Sequence, residues 1–289
     1  MRAFTDHRAM LAECELDAVV VAAPTTLHFG MVKDVLESGR HVLCEKPLCL
    51  TAKESVELVA LAAAKDCRLM VGHVFLFNAG IVRLKEYIQD GMPGRVHYLR
   101  ATRTNLGPVR GDVNCVYDLA THDISIFNFL LDALPESVSA VGGCFLQPSI
   151  EDVAFISLRY PRNRLAHIQV SWLDPKKLRE IVVVGDRRMV VWDDLASPGP
   201  IHIYDKGVDR PPDYQDFGQF QLVMREGDLM VPKIRLEEPL KAQGRHFLDS
   251  IRRGRLELSD GDFAVGVQRV LEAVTQSLRL GGTSVPVSA

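Results

Sequence analysis

The sequence predicts an α/β unit joined to an α+β unit: a small parallel sheet first, then a large, mostly antiparallel sheet with flanking helices. Residues 17–74 alternate apolar β-branched runs with helical segments, the order that leads to parallel pairing through right-handed crossovers. From about Gly91 strand-like runs follow one another with little helix between, joined by turn residues, and such runs pair antiparallel. At 289 residues the chain exceeds what one small core needs, and the change of pattern divides it into residues 1–75 and 76–289.

Each element has its own signal. "DAVVVAAP" (Asp17 to Pro24) is a continuous apolar run of the kind buried on both faces of a parallel sheet, and proline ends it. "TTLHFGMVKDVLESG" then reads as a helix stopped by Gly39, "RHVLCEKP" as a second buried strand, and "RLMVGHV" as a third. Between those two strands "TAKESVELVALAAAKD" is a helix that Thr51 and Glu54 open as a capping box. In the second part, "RVHYLRATRT", "ESVSAVGGCF", "DVAFISLRYP", "RLAHIQVSWL", "REIVVVGD", "RMVVWDD" and "IHIYD" read as strands. "LATHDISIFNFLLDA", "PLKAQGRHFLDSIRRG" and "GDFAVGVQRVLEAVTQSLRL" read as helices, the last capped by Ser259 or Asp260. "DKGVDRPPDYQDFGQF" (Asp205 to Phe220) is the most loop-like stretch and a candidate flap.

Composition narrows the function. A net charge of -3 with lysines and arginines spread along the chain argues against nucleic acid as partner. No apolar run is long enough to span a bilayer and no secretory leader opens the chain, so a cytoplasmic protein is expected. The six cysteines form no C-x-x-C pair and are expected as free, mostly buried thiols. No H-E-x-x-H or close His/Cys/Asp cluster points to a metal.

Ligands of a parallel sheet sit outside the carboxyl ends of its strands, so Ala23, Pro24 and Thr25 should border one crevice with Glu45, Lys46 and Pro47. An ammonium there is suited to polarising a hydroxyl or carbonyl; by position alone, a lysine reaching water beside a turn fits equally well. Asp118 precedes His122 by four residues, which on a regular helix means one face. A histidine with a carboxylate neighbour is a general acid and base for neutral pH, whereas an ordinary surface pair is the alternative. The apolar Leu119, Ile124, Ile126, Phe127 and Leu130 around the pair favour burial and hence a function.

Together, "AAPTTLH", "GRHVLCEKPLCLTAKE", "LMVGHVFLFN" and "DLATHDISI" resemble the Gfo/Idh/MocA family of NAD(P)-dependent sugar and cyclitol oxidoreductases over essentially the whole chain, most closely the members acting on nucleotide-linked amino sugars. The resemblance implies a Rossmann-type first unit, NAD or NADP as cofactor, and a sugar or nucleotide-sugar hydroxyl as hydride donor. It places Lys46 beside nicotinamide, with a cis bond to Pro47. His122 would take the hydroxyl proton, and Asp118 would orient His122 or hold a neighbouring hydroxyl. Pro24, Thr25, His28 and Glu45 match cofactor-lining positions, and Arg103 and Asn105 are candidates to face substrate. It also implies a homo-oligomer formed through the antiparallel sheet.

One family feature is missing from the sequence. None of the 21 glycines builds the G-x-G-x-x-G turn that cradles pyrophosphate, so the resemblance implies a truncated Rossmann-type sheet with an unpaired edge at Val19 to Val21. A start codon placed too late or a truncated gene is expected ahead of a shortened protein with a different job. The missing turn leaves open whether this form of the chain is active as an oxidoreductase; the alternative is a non-catalytic binding or scaffold module that retains the oligomerising sheet.

Overall fold

A computed structural model describes residues 2–197, 199–209 and 223–288. Most of the candidate flap therefore lies outside the described residues; its first residues continue a strand.

Helix α1 (His7–Glu13) leads into a three-stranded parallel sheet of β1 (Ala18–Val21), β2 (His41–Cys44) and β3 (Leu69–Val71), in that order. Val19 pairs with Val42, and Val42 with Leu69, so the β-branched runs lie in register. Helices α2 (Thr25–Glu37) and α3 (Ala52–Ala64) are the crossovers, and burial of Val32, Val35, Leu36 and Leu58 holds them to the sheet at about 1.5–3 kcal/mol each. The capping box forms as expected: Thr51 Oγ1 accepts from the Glu54 amide while the Glu54 carboxylate accepts from the Thr51 amide. Among the described residues β1 pairs only with β2, and Val20 is 63% exposed on that edge. The opposite edge is closed from the far end of the chain, where the Ser259 carbonyl accepts from the Val71 amide and Asp260 bridges Met70.

After a 3-10 turn (Val74–Phe77) comes α4 (Ala79–Gln89), a helix in a stretch to which the sequence reading gave no element. Asn78 Oδ1 caps it by accepting from the Gly80 and Ile81 amides, and Ile81 and Leu84 bury its inner face. The large sheet has nine strands: β4 (Val96–Leu106), β5 (Ser137–Gly143), β6 (Val153–Tyr160), β7 (Arg164–Ser171), β8 (Leu173–Gly185), β9 (Met189–Asp193), β10 (Ile201–Asp209), β11 (Val223–Met230) and β12 (Val285–Pro286). Their order is β11-β10-β9-β8-β4-β7-β6-β5-β12, with every neighbour antiparallel except β4 and β7. Two of these strands, β11 and β12, extend the sheet beyond the seven expected from sequence.

Helices α4, α5 (Thr121–Leu131) and α7 (Gly261–Arg279) cover one face of this sheet, where Leu99, Ala101, Ile168, Ile181 and Val183 meet Ile124, Phe127 and Val270 in the main core. The other face leaves Tyr98, Phe155 and Leu165 exposed. Helix α6 (Pro239–Arg253) starts with proline in its first turn and stops at Gly254, whose φ of 72° is the left-handed conformation that favours glycine. Asp260, one of the two expected caps, opens α7 by accepting from the Phe263 amide. All six cysteines are free, and Cys44, Cys49, Cys67 and Cys115 are buried.

Candidate active site

Three strand ends meet at the mouth of the small sheet. Beyond β1 lie Ala23, Pro24 and Thr25; beyond β2, Glu45, Lys46 and Pro47; beyond β3, Gly72 and His73. The Lys46–Pro47 bond is cis, as the resemblance implied. His28 takes a different place from the one expected of it. Its ring is buried, with Nε2 2.8 Å from the Ala23 carbonyl and Nδ1 2.9 Å from that of Pro47, so it braces the two strand ends from beneath. A Cβ on Gly72 would stand 3.0 Å from a Glu45 carboxylate oxygen, so only glycine leaves that carboxylate its present place.

Lys46 reaches across to the turn that precedes α5. Its Nζ donates to the Asp118 carbonyl at 2.6 Å and lies 3.8 Å from that residue's carboxylate. Burial lowers the pKa of this ammonium, and the Asp118 carboxylate opposes the change without cancelling it.

Asp118 does not orient His122. Its Oδ2 accepts from Trp172 Nε1 at 3.1 Å and its Oδ1 from Arg110 at 3.4 Å. The cause is local: residues Val116–Ala120 form a π turn, in which the Thr121 amide donates to the Val116 carbonyl. One extra residue in the turn rotates Asp118 away from the face that a four-residue spacing on a regular helix would share with His122.

His122 is held by packing instead. Its ring meets Phe75 edge-on at 4.9 Å between centroids, and Nδ1 is buried with no hydrogen-bond partner among the described residues. Burial first, then the charges of Lys46 and Arg103, push its pKa well below the usual histidine value, so the imidazole is neutral at pH 7.

Arg103 is not an open substrate contact. It is buried, and its Nε and Nη2 donate to the two carboxylate oxygens of Asp123 at 2.9 and 2.8 Å. Its guanidinium also lies over the Phe75 ring at 4.4 Å, and Arg179 approaches the same ring at 5.9 Å. Its bonds to Asp123 show that Arg103 faces the helices, and Asn105, at a break in the β4–β8 register, lines a compartment with it. Phe75, Asp123 and Arg179 were not singled out in the sequence, although Phe75 lies inside "GHVFLFN" and Asp123 directly follows His122.

Two compartments adjoin here. One, of about 630 Å³, is lined by Glu45, Lys46, Val74, Phe75, His122 and Arg179 among others. The other, of about 210 Å³, shares Phe75, His122 and Arg179 with it and continues over Asn105, Trp172 and Lys177. Lys46 and His122, drawn from opposite ends of the motif pair, thus border one cleft.

Residues 1–73 match the description "Oxidoreductase family, NAD-binding Rossmann fold", and residues 81–191 match "GFO/IDH/MocA C-terminal domain". The chain belongs to the Gfo/Idh/MocA oxidoreductase family. UDP-N-acetylglucosamine 3-dehydrogenase from Acidithiobacillus ferrooxidans is 27% identical over 278 residues, which cover 95% of this chain and 81% of that one. A solved structure of that enzyme superposes with a TM-score of 0.81 at 25% identity, covering 96% of this chain and 83% of the other. Inositol 2-dehydrogenase 2 from Paenarthrobacter aurescens is 30% identical over 179 residues, 58% of this chain and 54% of that one.

The family model matched by residues 1–73 describes an NAD-binding fold, and the strand ends of the small sheet are where the nicotinamide half of such a cofactor would lie. The missing Cβ of Gly72 lets the Glu45 carboxylate lie at the crevice floor, and the 630 Å³ compartment leaves room beside it. Ala23, Pro24, Thr25, Glu45 and Lys46 are the residues of this chain that would hold that half. Its sequence contains no glycine-rich turn to receive the pyrophosphate.

Proposed function

We propose that this Gfo/Idh/MocA member is an NAD(P)-dependent dehydrogenase that oxidises a secondary hydroxyl of a sugar or nucleotide sugar, with Lys46 and His122 as its catalytic residues. The observation that carries the reading is the shared cleft: a partly buried ammonium and a neutral imidazole whose Nδ1 has no partner line the same compartment beyond the strand ends. The likeness to UDP-N-acetylglucosamine 3-dehydrogenase and to inositol 2-dehydrogenase 2 supports a polyhydroxylated substrate.

Bound NAD⁺ supplies the acceptor for a hydride leaving the hydroxyl-bearing carbon. The neutral His122 ring takes the hydroxyl proton, a role for which its lowered pKa suits it at pH 7. The Lys46 ammonium stabilises the negative charge that grows on the oxygen, and its bond to the Asp118 carbonyl fixes it in place for that task. Phe75 holds the imidazole edge-on, and Asp118 positions Lys46.

In this reading residues 1–75 form the cofactor unit and residues 76–289 the substrate and oligomerisation unit. The open face of the large sheet, with Tyr98, Phe155 and Leu165, is the surface for a second copy. Among the described residues no helix is long and apolar enough to cross a membrane. The test is NADH formation from a panel of sugars, cyclitols and nucleotide sugars, with Lys46→Ala and His122→Ala as controls. Turnover that disappears in both variants is expected; full activity in either one overturns the reading.

A further inference from the structure

Helix α7 carries a polar side chain that core packing does not explain. Gln268 is 1% exposed, and Val267, Val270 and Leu271 beside it belong to the main core. Its amide is satisfied at one end: Nε2 donates to the Leu50 carbonyl at 2.8 Å, while Oε1 is buried with no hydrogen-bond partner among the described residues. A half-satisfied amide in an apolar interior costs more than a hydrocarbon side chain of the same length. The reason for a glutamine here therefore lies in the bond it makes.

That bond falls on the loop that carries Lys46. Leu50 follows Lys46 by four residues, and Leu48 and Cys49 between them are buried, so the link is short and tightly packed. One turn further along α7, Glu272 Oε1 accepts from the Ala52 amide at 2.7 Å. Gln268 and Glu272 thus grip a backbone acceptor and a backbone donor on either side of Thr51, the cap of α3, and fix the far end of the loop.

The same amide nitrogen lies 3.5 Å from the Tyr117 hydroxyl. Tyr117 belongs to the π turn and directly precedes Asp118, whose carbonyl receives the Lys46 ammonium at 2.6 Å. The contacts close into a ring: backbone from Lys46 to Leu50, side-chain atoms from Leu50 through Gln268 to Tyr117, and Asp118 back to Lys46. How closely the loop is drawn to the turn decides whether the ammonium reaches that carbonyl. Gln268 is bonded to the loop, touches the turn, and lines neither compartment of the cleft.

We propose that Gln268 is a positioning residue of the reaction, holding the Lys46 loop at the distance from the π turn at which the ammonium meets the Asp118 carbonyl. This deepens the dehydrogenase reading and rests on it for the role of Lys46.

The test uses the full chain and two substitutions. Gln268→Met keeps the length and removes the donor, whereas Gln268→Asn keeps the amide and is one methylene short; whichever folds serves. The first readout needs no substrate: acetic anhydride acylates the lysines of the native protein, and mass spectrometry follows Lys46 and Lys85. Lys85 is 6% exposed and bonded to the Phe129 carbonyl, so it reports general loosening. Faster labelling of Lys46 with Lys85 unchanged is expected. Labelling of Lys46 that stays the same, or rises only in step with Lys85, overturns the proposal.

The second readout is kinetic. On the substrate panel, the Gln268 variant should lower kcat about tenfold or more with KM little changed, as loss of alignment in the transition state does. In a Lys46→Ala background the same substitution should cost nothing further, because its effect passes through the ammonium. An equal loss with and without Lys46 overturns the proposal. No turnover by the wild type on any substrate sinks the dehydrogenase reading alone, since the labelling still decides whether Gln268 holds Lys46.

Discussion

Lys46 Nζ donates to the backbone carbonyl of Asp118 at 2.6 Å, tying the end of β2 to the π turn that precedes α5. Because the acceptor is main chain, no side-chain substitution at position 118 removes it. The ammonium is therefore held by backbone and only tuned by the Asp118 carboxylate at 3.8 Å. Lys46→Ala is expected to lower kcat by a factor of about 10²–10⁴, the range for loss of one charge-stabilising or proton-transferring group. Lys46→Arg should recover little, since a planar fork cannot replace a compact ammonium in a buried site. Steady-state kinetics on a substrate found by the panel would read both; a kcat unchanged in Lys46→Ala removes the lysine from the mechanism.

His122 yields a prediction about pH. A base acts while neutral, so kcat/KM should fall as pH drops through the His122 pKa of the free enzyme, which burial, Lys46 and Arg103 place below 6.5. Since the Asp118 carboxylate does not touch His122, Asp118→Asn should leave that acid limb where it is and act instead on Lys46, whose charge the carboxylate supports. A limb displaced by about one pH unit in Asp118→Asn would show carboxylate–imidazole coupling after all.

The parallel sheet, both crossover helices and the capping box at Thr51 and Glu54 were legible because each depends on residues close in sequence. The place of Lys46 was legible for a topological reason, since strand ends of a parallel sheet collect ligand-facing groups, whereas His122 on α5 was joined to it by the family resemblance. What escaped depends on distant partners or on one extra residue in a turn. The π turn at 116–120 reads like any helix, yet it turns Asp118 toward Trp172 and Arg110. The fate of Arg103 is set by Asp123, twenty residues away on another element, and by the ring of Phe75. Likewise the parallel pairing of β4 with β7 cannot be read from a series of strands that look alike.

The Arg103–Asp123 pair permits a stability test that separates structure from binding. Both residues are at most 4% exposed, so removing one charge strands the other in the interior. Arg103→Met is expected to cost about 3–5 kcal/mol in urea unfolding, while Arg103→Met with Asp123→Leu should cost clearly less because neither charge remains. A double variant no more stable than the single one would mean that the pair's own geometry, including the Phe75 contact, outweighs the desolvation of its charges.

His73 extends the argument to the junction of the two sheets. Its ring is 1% exposed, with Nδ1 3.1 Å from Ser259 Oγ, while Ser259 Oγ donates to the Val71 carbonyl at 2.6 Å. The hydroxyl proton is thus committed, and the imidazole must donate from Nδ1, in its neutral form. Burial, with Lys46 adding to it, pulls the His73 pKa down to about 3 from an unfolded value of 6.5. The unfolded chain therefore binds one more proton than the folded chain between those values. This contribution to stability is complete above pH 6.5 and is lost by about 1.4 kcal/mol per unit as pH falls toward 3. His73→Gln can keep a hydrogen bond to Ser259 but cannot take up the proton, so its unfolding free energy should depend on pH less steeply than the wild type's by one proton across that window. Parallel curves for the two proteins would mean that this ring is not held neutral at the junction.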